Sequence, residues 1–282
     1  MAKRNDNMPE SISPCRSVAR ALLGVLVSGL LGWQATPLVV SPAAAEPTIT
    51  TPPTFDSRYR IEVGGLTIGE LTRQLSEQNG RFVLETVSEA TGLAALFMGR
   101  RIEESTEFVL DGSGRVQPLN YRYAMLGRKS RLRKTHFDPE LPGATGERDG
   151  QPWTLKVTQN EWPAYDPLAY QVEMARDVAS GERSPSYYVV LKGKLLHYQF
   201  DLAAEEPVTA GDKSYDTLKF VRRTEPPEVT EIWIAPALGY QPVQVRVTDD
   251  DRTTTRVYLE EFNPTTGPTT STAAGPEAGA GD

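Results

Sequence analysis

The chain has 282 residues, with 30 Lys and Arg against 37 Asp and Glu and a formal net charge of −7. That acidic balance argues against nucleic-acid binding, because neutralising phosphates favours a basic domain or face. One cysteine, Cys15, is the whole thiol inventory, and its position excludes a disulfide framework for the folded part.

The first 45 residues read as an export signal. Lys3, Arg4, Arg16 and Arg20 make a basic leader, residues 21–33 an apolar run, and Ser41-Pro42-Ala43-Ala44-Ala45 a small-residue stretch. This three-part pattern predicts cleavage between Ala45 and Glu46. Cys15 lies upstream of the apolar run and leaves with the signal, so no lipid-bearing cysteine is expected to anchor the product. An uncleaved anchor is the competing reading, since residues 21–40 reach spanning length, but Gln34, Thr36 and Pro37 interrupt the run. Cleavage leaves no permanent membrane span and deepens the net charge to about −9.

Residues 46–55, with Pro47, Pro52 and Pro53, are expected to form an extended leader, and residues 56–262 a single β-rich domain. The tail, 263–282, is built from Pro, Thr, Gly, Ala, Ser and acidic residues. It cannot bury enough apolar surface to offset ordering entropy, so disorder is expected there.

Within the domain, period-2 alternation marks strands. Tyr59, Ile61 and Val63 alternate with Arg58, Arg60 and Glu62. Further strands are predicted over 66–71, 81–89, 103–110, 119–126, 130–137 and 153–158, then over 186–191, 195–201, 215–221 and 229–234, and finally through Val243, Val245 and Val247 and over 255–262. Turn chemistry at Gly64-Gly65, Asn79-Gly80, Asp111–Gly114, Lys192-Gly193 and Asp249–Asp251 separates them. Short turns mean antiparallel pairing, because parallel strands need long crossovers.

Asp166-Pro167 fits a helix cap followed by proline in the first turn, and Leu168, Val172 and Ala175 then recur at helical spacing. A helix over Pro167–Val178 is predicted, stopped by Gly181. The expected fold is mainly β: a strongly curved antiparallel sheet or open half-barrel, with one main helix across its concave side.

The pattern marks out little catalytic chemistry. His136 and His197 both fall in strands with nothing in their spacing that forces convergence on a metal, and no serine sits in a nucleophile elbow. No catalytic residue, metal site or cofactor is therefore assigned. Glu103-Glu104, Glu205-Glu206, Asp249–Asp251 and Glu260-Glu261 read as a solvated acidic surface, with Glu205-Glu206 in a loop or turn. The basic run 128–134 puts Arg131 and Arg133 on one strand face. It reads either as a contact for anionic headgroups or an acidic partner, or as a charged edge strand. Leu93, Leu96, Phe97 and Met98, bracketed by Gly92 and Gly99, form either a lid over an apolar groove or a plug of the core.

Several stretches together resemble the domain of unknown function 3108 family of bacterial envelope proteins. They are Tyr59–Glu70, Gly92-Leu93 with Arg101 and Ser105, Pro118-Leu119-Asn120-Tyr121, Phe137-Asp138, Asp166-Pro167, and Trp233-Ile234-Ala235-Pro236 leading to Gln241-Pro242-Val243. The resemblance implies location and fold rather than mechanism. The pattern is also similar to the periplasmic lipoprotein-carrier fold, a curved half-barrel covered by helices, which implies an apolar cavity able to shelter an acyl chain.

The expected function is accordingly non-catalytic binding of a lipid or other apolar ligand in the periplasm or envelope. Leu93, Leu96, Phe97 and Met98 would serve as lid, Leu168 and Val172 as helix contacts, Trp153 and Trp233 as wall, and Arg131 and Arg133 as rim. The alternatives are a scaffold that binds another envelope protein and, third, an envelope hydrolase built on one of the histidines.

Overall fold

A computed structural model describes residues 51–92, 95, 101–127, 130–139, 141–224 and 228–265. The predicted export signal, the tail beyond residue 265, Arg128 and Lys129, and all four of Leu93, Leu96, Phe97 and Met98 lie outside the described residues.

Sixteen strands are described. The first eight are β1 (Phe55–Val63), β2 (Leu66–Gln78), β3 (Arg81–Ala90), β4 (Arg101–Leu110), β5 (Val116–Leu126), β6 (Arg131–Phe137), β7 (Gly143–Arg148) and β8 (Gln151–Lys156). After β9 (Ala164–Tyr165) comes the helix α1 (Ala169–Ala179), then β10 (Ser186–Leu191) and β11 (Lys194–Gln199). The last five are β12 (Asp201–Ala210), β13 (Lys213–Thr224), β14 (Glu228–Ala235), β15 (Gln241–Thr248) and β16 (Thr254–Pro264).

Thirteen of these form one antiparallel sheet in the order β12-β13-β14-β15-β16-β1-β2-β3-β4-β5-β6-β7-β8. Neighbours in the chain are neighbours in the sheet, as short turns require. The exception is the β1–β16 pair, which joins the two ends of the domain. The sheet does not close: β12 and β8 are its edges, and the chain between them forms the three-stranded sheet β11-β10-β9 and α1. β9 and β10 pair in parallel, and α1 is the crossover such a pair needs.

The sheet wraps around α1. Phe55, Leu75, Leu84, Phe108, Phe220 and Ile234, from strands far apart in the sheet, meet Leu168, Ala169, Met174 and Val178 in one buried cluster. Rings fill much of it: Phe82 stacks on Phe108 at 5.2 Å, and Tyr170 meets Tyr198 edge-on at 5.4 Å. A second cluster holds Tyr59, Trp233, Val243 and Leu259 beneath the tip of the β12–β13 hairpin, and a third joins Phe137 and Trp153 to Val190 of the small sheet.

α1 starts two residues later than Pro167, but its cap is the predicted one. The Asp166 carboxylate accepts the amides of Leu168 and Ala169 at 2.8 and 2.9 Å. Gly181, at φ +93, ends the last turn.

Three strands lacked the expected pattern. β7 reads Gly-Ala-Thr-Gly-Glu-Arg, with no branched apolar residue, and is a strand because β6 and β8 flank it. β9 has only two residues. β12 contains Pro207 and Glu205-Glu206, so the expected acidic loop is a strand; as a sheet edge it tolerates a proline. The edge-strand reading of the basic run is also overturned, because β6 lies between β5 and β7.

Candidate functional site

The candidate site lies on the helix-bearing face of β4, β5 and β6. Alternation sends Ile102, Glu104 and Thr106 of β4, Tyr121, Tyr123 and Met125 of β5, and Arg131, Arg133 and Thr135 of β6 to that side. Cross-strand register lines them up in rows. Thr106, Tyr121 and Thr135 form the deepest row and are buried; Glu104, Tyr123 and Arg133 form the next; Ile102, Met125 and Arg131 form the outermost, half-exposed row.

The deep end is polar and satisfied. Thr106 donates its hydroxyl to Asp166 Oδ2 at 2.6 Å, and the Tyr121 hydroxyl makes a short bond to Glu104 Oε1. Burial pushes the Asp166 carboxyl up to about 6, against the pull of the Thr106 hydroxyl and the two amides it caps. Glu104 is likewise raised by burial, although the Tyr121 hydrogen bond and the Arg133 charge act against that shift. The expectation that Glu103-Glu104 belongs to a solvated surface therefore fails for its second member. Glu103 is held low by Arg101 at 2.8 Å on the exposed side, while Glu104 faces the core.

The shallow end is cationic. Arg133 Cζ lies over the Tyr123 ring, 4.4 Å from its centroid, and the buried Nε makes no hydrogen bond among the described residues. Among the described residues, neither Arg131 nor Arg133 forms an ion pair with a carboxylate, whereas Arg58, Arg81, Arg101, Arg115, Arg222 and Arg246 all do.

A second buried polar group holds the other half of α1. Glu173, 2% exposed, accepts the Val116 amide at 2.8 Å and Arg115 Nε at 3.0 Å. Asp177 accepts the Tyr187 hydroxyl at 2.8 Å. Burial raises both carboxyls.

The other predicted contacts are placed as follows. Leu168 and Val172 are 5% and 7% exposed, enclosed by the chain's own core. Trp153 of β8 lies on the helix-bearing face, its ring pressed against Gly146 and the Gly193 turn. Trp233 lies in the separate cluster under the β12–β13 hairpin, donating its indole N–H to Glu206 Oε1 at 2.6 Å with Lys219 at 4.7 Å from its ring. The structure thus groups Arg131 and Arg133 on one face with Trp153, Leu168 and Val172, and sets Trp233 apart. Tyr123, Met125 and Ile102 escaped the sequence reading, though the period of β4 and β5 already put them on the same face as one another.

His197 of β11 packs its ring against Tyr188 at 4.9 Å, while His136 lies on the opposite face of the sheet and bonds Asn120. Among the described residues, no group of three or more His, Cys, Asp and Glu could hold a metal ion, and no helix is long and apolar enough to cross a membrane.

An unclosed antiparallel sheet wrapped on one helix defines a β-barrel-like class. A crystal structure titled as a β-barrel-like protein of domain of unknown function DUF1849, from Brucella abortus, has this fold: the TM-score is 0.50 at 10% identity, over 76% of this chain and 98% of that one. The chain belongs to the family of proteins of unknown function DUF3108, which it matches over residues 58–259. No curated protein matches it.

Proposed function

We propose that this protein is exported and acts in the cell envelope as a non-catalytic binder of an amphipathic acid, an apolar chain bearing an anionic head. The signal-like residues 1–45 support the location. The observation that carries the ligand class is the row Ile102–Met125–Arg131 beside Arg133: half-exposed apolar side chains that lead to two guanidinium groups which, among the described residues, form no ion pair. Guanidinium forks match carboxylate and phosphate geometry, and methionine adapts to an irregular chain. Burial of Glu104 weakens the competing anion on the same row.

This reading puts the ligand at the open end of the sheet, with Trp153 as a wall further along the same face. Leu168 and Val172 then hold the helix that floors the site.

The rival is a scaffold for another envelope protein. It rests on the filled core, since Leu168 and Val172 are already covered.

Native mass spectrometry of the protein purified from its own envelope, followed by lipid extraction, separates the two. A stoichiometric acyl-bearing acid that Arg131→Ala with Arg133→Ala releases, with the melting temperature unchanged, is the expected result. An empty protein that co-purifies with a stoichiometric protein partner would sink it.

A further inference from the structure

The opposite face of the same strands carries a groove of about 840 Å³ that crosses β4 to β8. Its floor is the backbone of the row Thr106, Tyr121, Thr135, Gly146 and Trp153, whose side chains point to the other side. One wall is the cross-strand row Ser105, Arg122, Lys134 and Glu147; the other is Glu107, Asn120, His136, Thr145 and Thr154.

Three properties limit what fits. Apart from Val83 and Pro152, the wall residues carry polar or charged groups. Their charges are matched: Arg81 bonds Glu107 at 2.5 Å, Arg122 lies 3.6 Å from Glu103, and Lys134 stands opposite Glu147 in register. A balanced wall gives no net attraction to a highly charged polymer. Finally, from β4 to β7 the floor lies in the interior of the sheet, where strand neighbours already pair the backbone, so a peptide cannot add there as a further strand.

The wall groups are also pre-oriented. Asn120 Nδ2 donates to Glu107 Oε2 at 2.7 Å, which leaves Asn120 Oδ1 to accept from His136 Nδ1 at 3.0 Å. That chain, anchored by Arg81, fixes the ring with Nε2 free of it. Side chains held this way lose little rotamer entropy on binding. Four strand spacings give the groove a length of about 19 Å.

We propose that this groove is a binding site for an uncharged, extended polyhydroxyl chain, a short stretch of glycan. Sugar hydroxyls both donate and accept, so they match alternating amide, hydroxyl, imidazole and paired-ion groups without requiring net charge. The site is separate from the arginine rows, which lie on the other side of the sheet.

The test is titration of the purified protein with cellotetraose and with the tetramer of N-acetylglucosamine, read by calorimetry and amide chemical shifts. Saturable binding of either sugar, with shifts confined to β4–β8, is expected. Asn120→Ala should weaken it about tenfold by removing the centre of the hydrogen-bonded chain. Thr154→Trp, which fills the groove from an exposed edge position, should abolish it with the melting temperature unchanged. No binding of either sugar up to about 10 mM, binding that both variants leave intact, or equal occupation of the groove by an alanine tetrapeptide overturns the proposal.

Discussion

Thr106 in the middle of β4 donates its hydroxyl to Asp166 at 2.6 Å, and neither residue is exposed. The other Asp166 oxygen caps α1 through the amides of Leu168 and Ala169. One carboxylate therefore sets the position of the helix on the sheet, next to the row that carries Glu104 and Arg133.

That carboxylate should be readable in the pH dependence of stability. Its folded pKa is raised to about 6, above the ordinary aspartate value near 3.8. As pH rises the unfolded chain releases this proton first, so the stabilisation is full below about 4, declines to about 6 and is flat above. The difference is at most about 3 kcal/mol. Asp166→Asn keeps a capping oxygen and has no proton to lose. Urea unfolding at several pH values should show a flatter profile for the variant across this window and no large loss at pH 7. A variant with the parent's slope would show that Asp166 is not the titrating group.

Glu173 should be the costliest single charge to delete. Glu173→Ala leaves the Val116 amide without its acceptor and Arg115 without its buried partner. Arg115 is half exposed and can turn to water, so the loss comes mainly from the unpaired Val116 amide and the cavity, about 2–4 kcal/mol. Glu173→Gln retains an oxygen for Val116 and should lose less, about 1–3 kcal/mol. Equal losses in chemical denaturation would mean that the charge contributes nothing beyond the hydrogen bond.

Gly146 has no room for a methyl group. A Cβ there collides with the Lys134 carbonyl oxygen and the Trp153 ring, both fixed by strand pairing. Gly146→Ala should destabilise by about 1–3 kcal/mol and shift tryptophan emission to the red as Trp153 loosens. Gly112→Ala, in an open turn with nothing within 4 Å of the new atom, is the control and should stay within about 0.5 kcal/mol.

Trp233 divides the packing role from the ligand role. Trp233→Phe removes the bond to Glu206 and weakens the stacking with Lys219 and with Arg246, 5.3 Å from the ring. A loss of about 1–2 kcal/mol in thermal or urea unfolding is expected, with ligand retention unchanged. Retention lost at constant stability would instead make Trp233 a ligand wall.

Thirteen strands were legible because their alternating residues face a core on one side and water on the other, as in β1 and β3. Of the remaining three, β9 has only two residues, and β7 and β12 show where that signal stops. β7 has small side chains, since Gly146 must lie flat under Trp153, so it carries almost no hydrophobic period. β12 is a sheet edge, where Pro207 is tolerated and acidic side chains stay wet. β2 runs on to Gln78, beyond the expected Leu71, through Arg73 and Leu75. Arg73 disguises the alternation there: it is buried, bonds Gln171 of α1 at 3.1 Å and covers Phe55.

Of the candidate site, the shared face of Arg131 and Arg133 followed from strand period alone, which is a local property of the chain. Which residues join them did not. Tyr123, Met125, Ile102 and Glu104 meet the arginines through the register of β4, β5 and β6, set by two connections and by the fit around α1.

The amino-acid sequence by itself determined the strand and turn pattern, the capped helix and the export-signal pattern, all of which depend on residues close together in the chain. Only the tertiary structure decided that the basic strand is interior, that Glu104 and Asp166 both turn inward and lose solvent, which raises their pKa values, and that the sheet stays open between β8 and β12. Those outcomes depend on which distant strands pair and on how much solvent each carboxylate loses, and neither quantity is a property of a short stretch of chain.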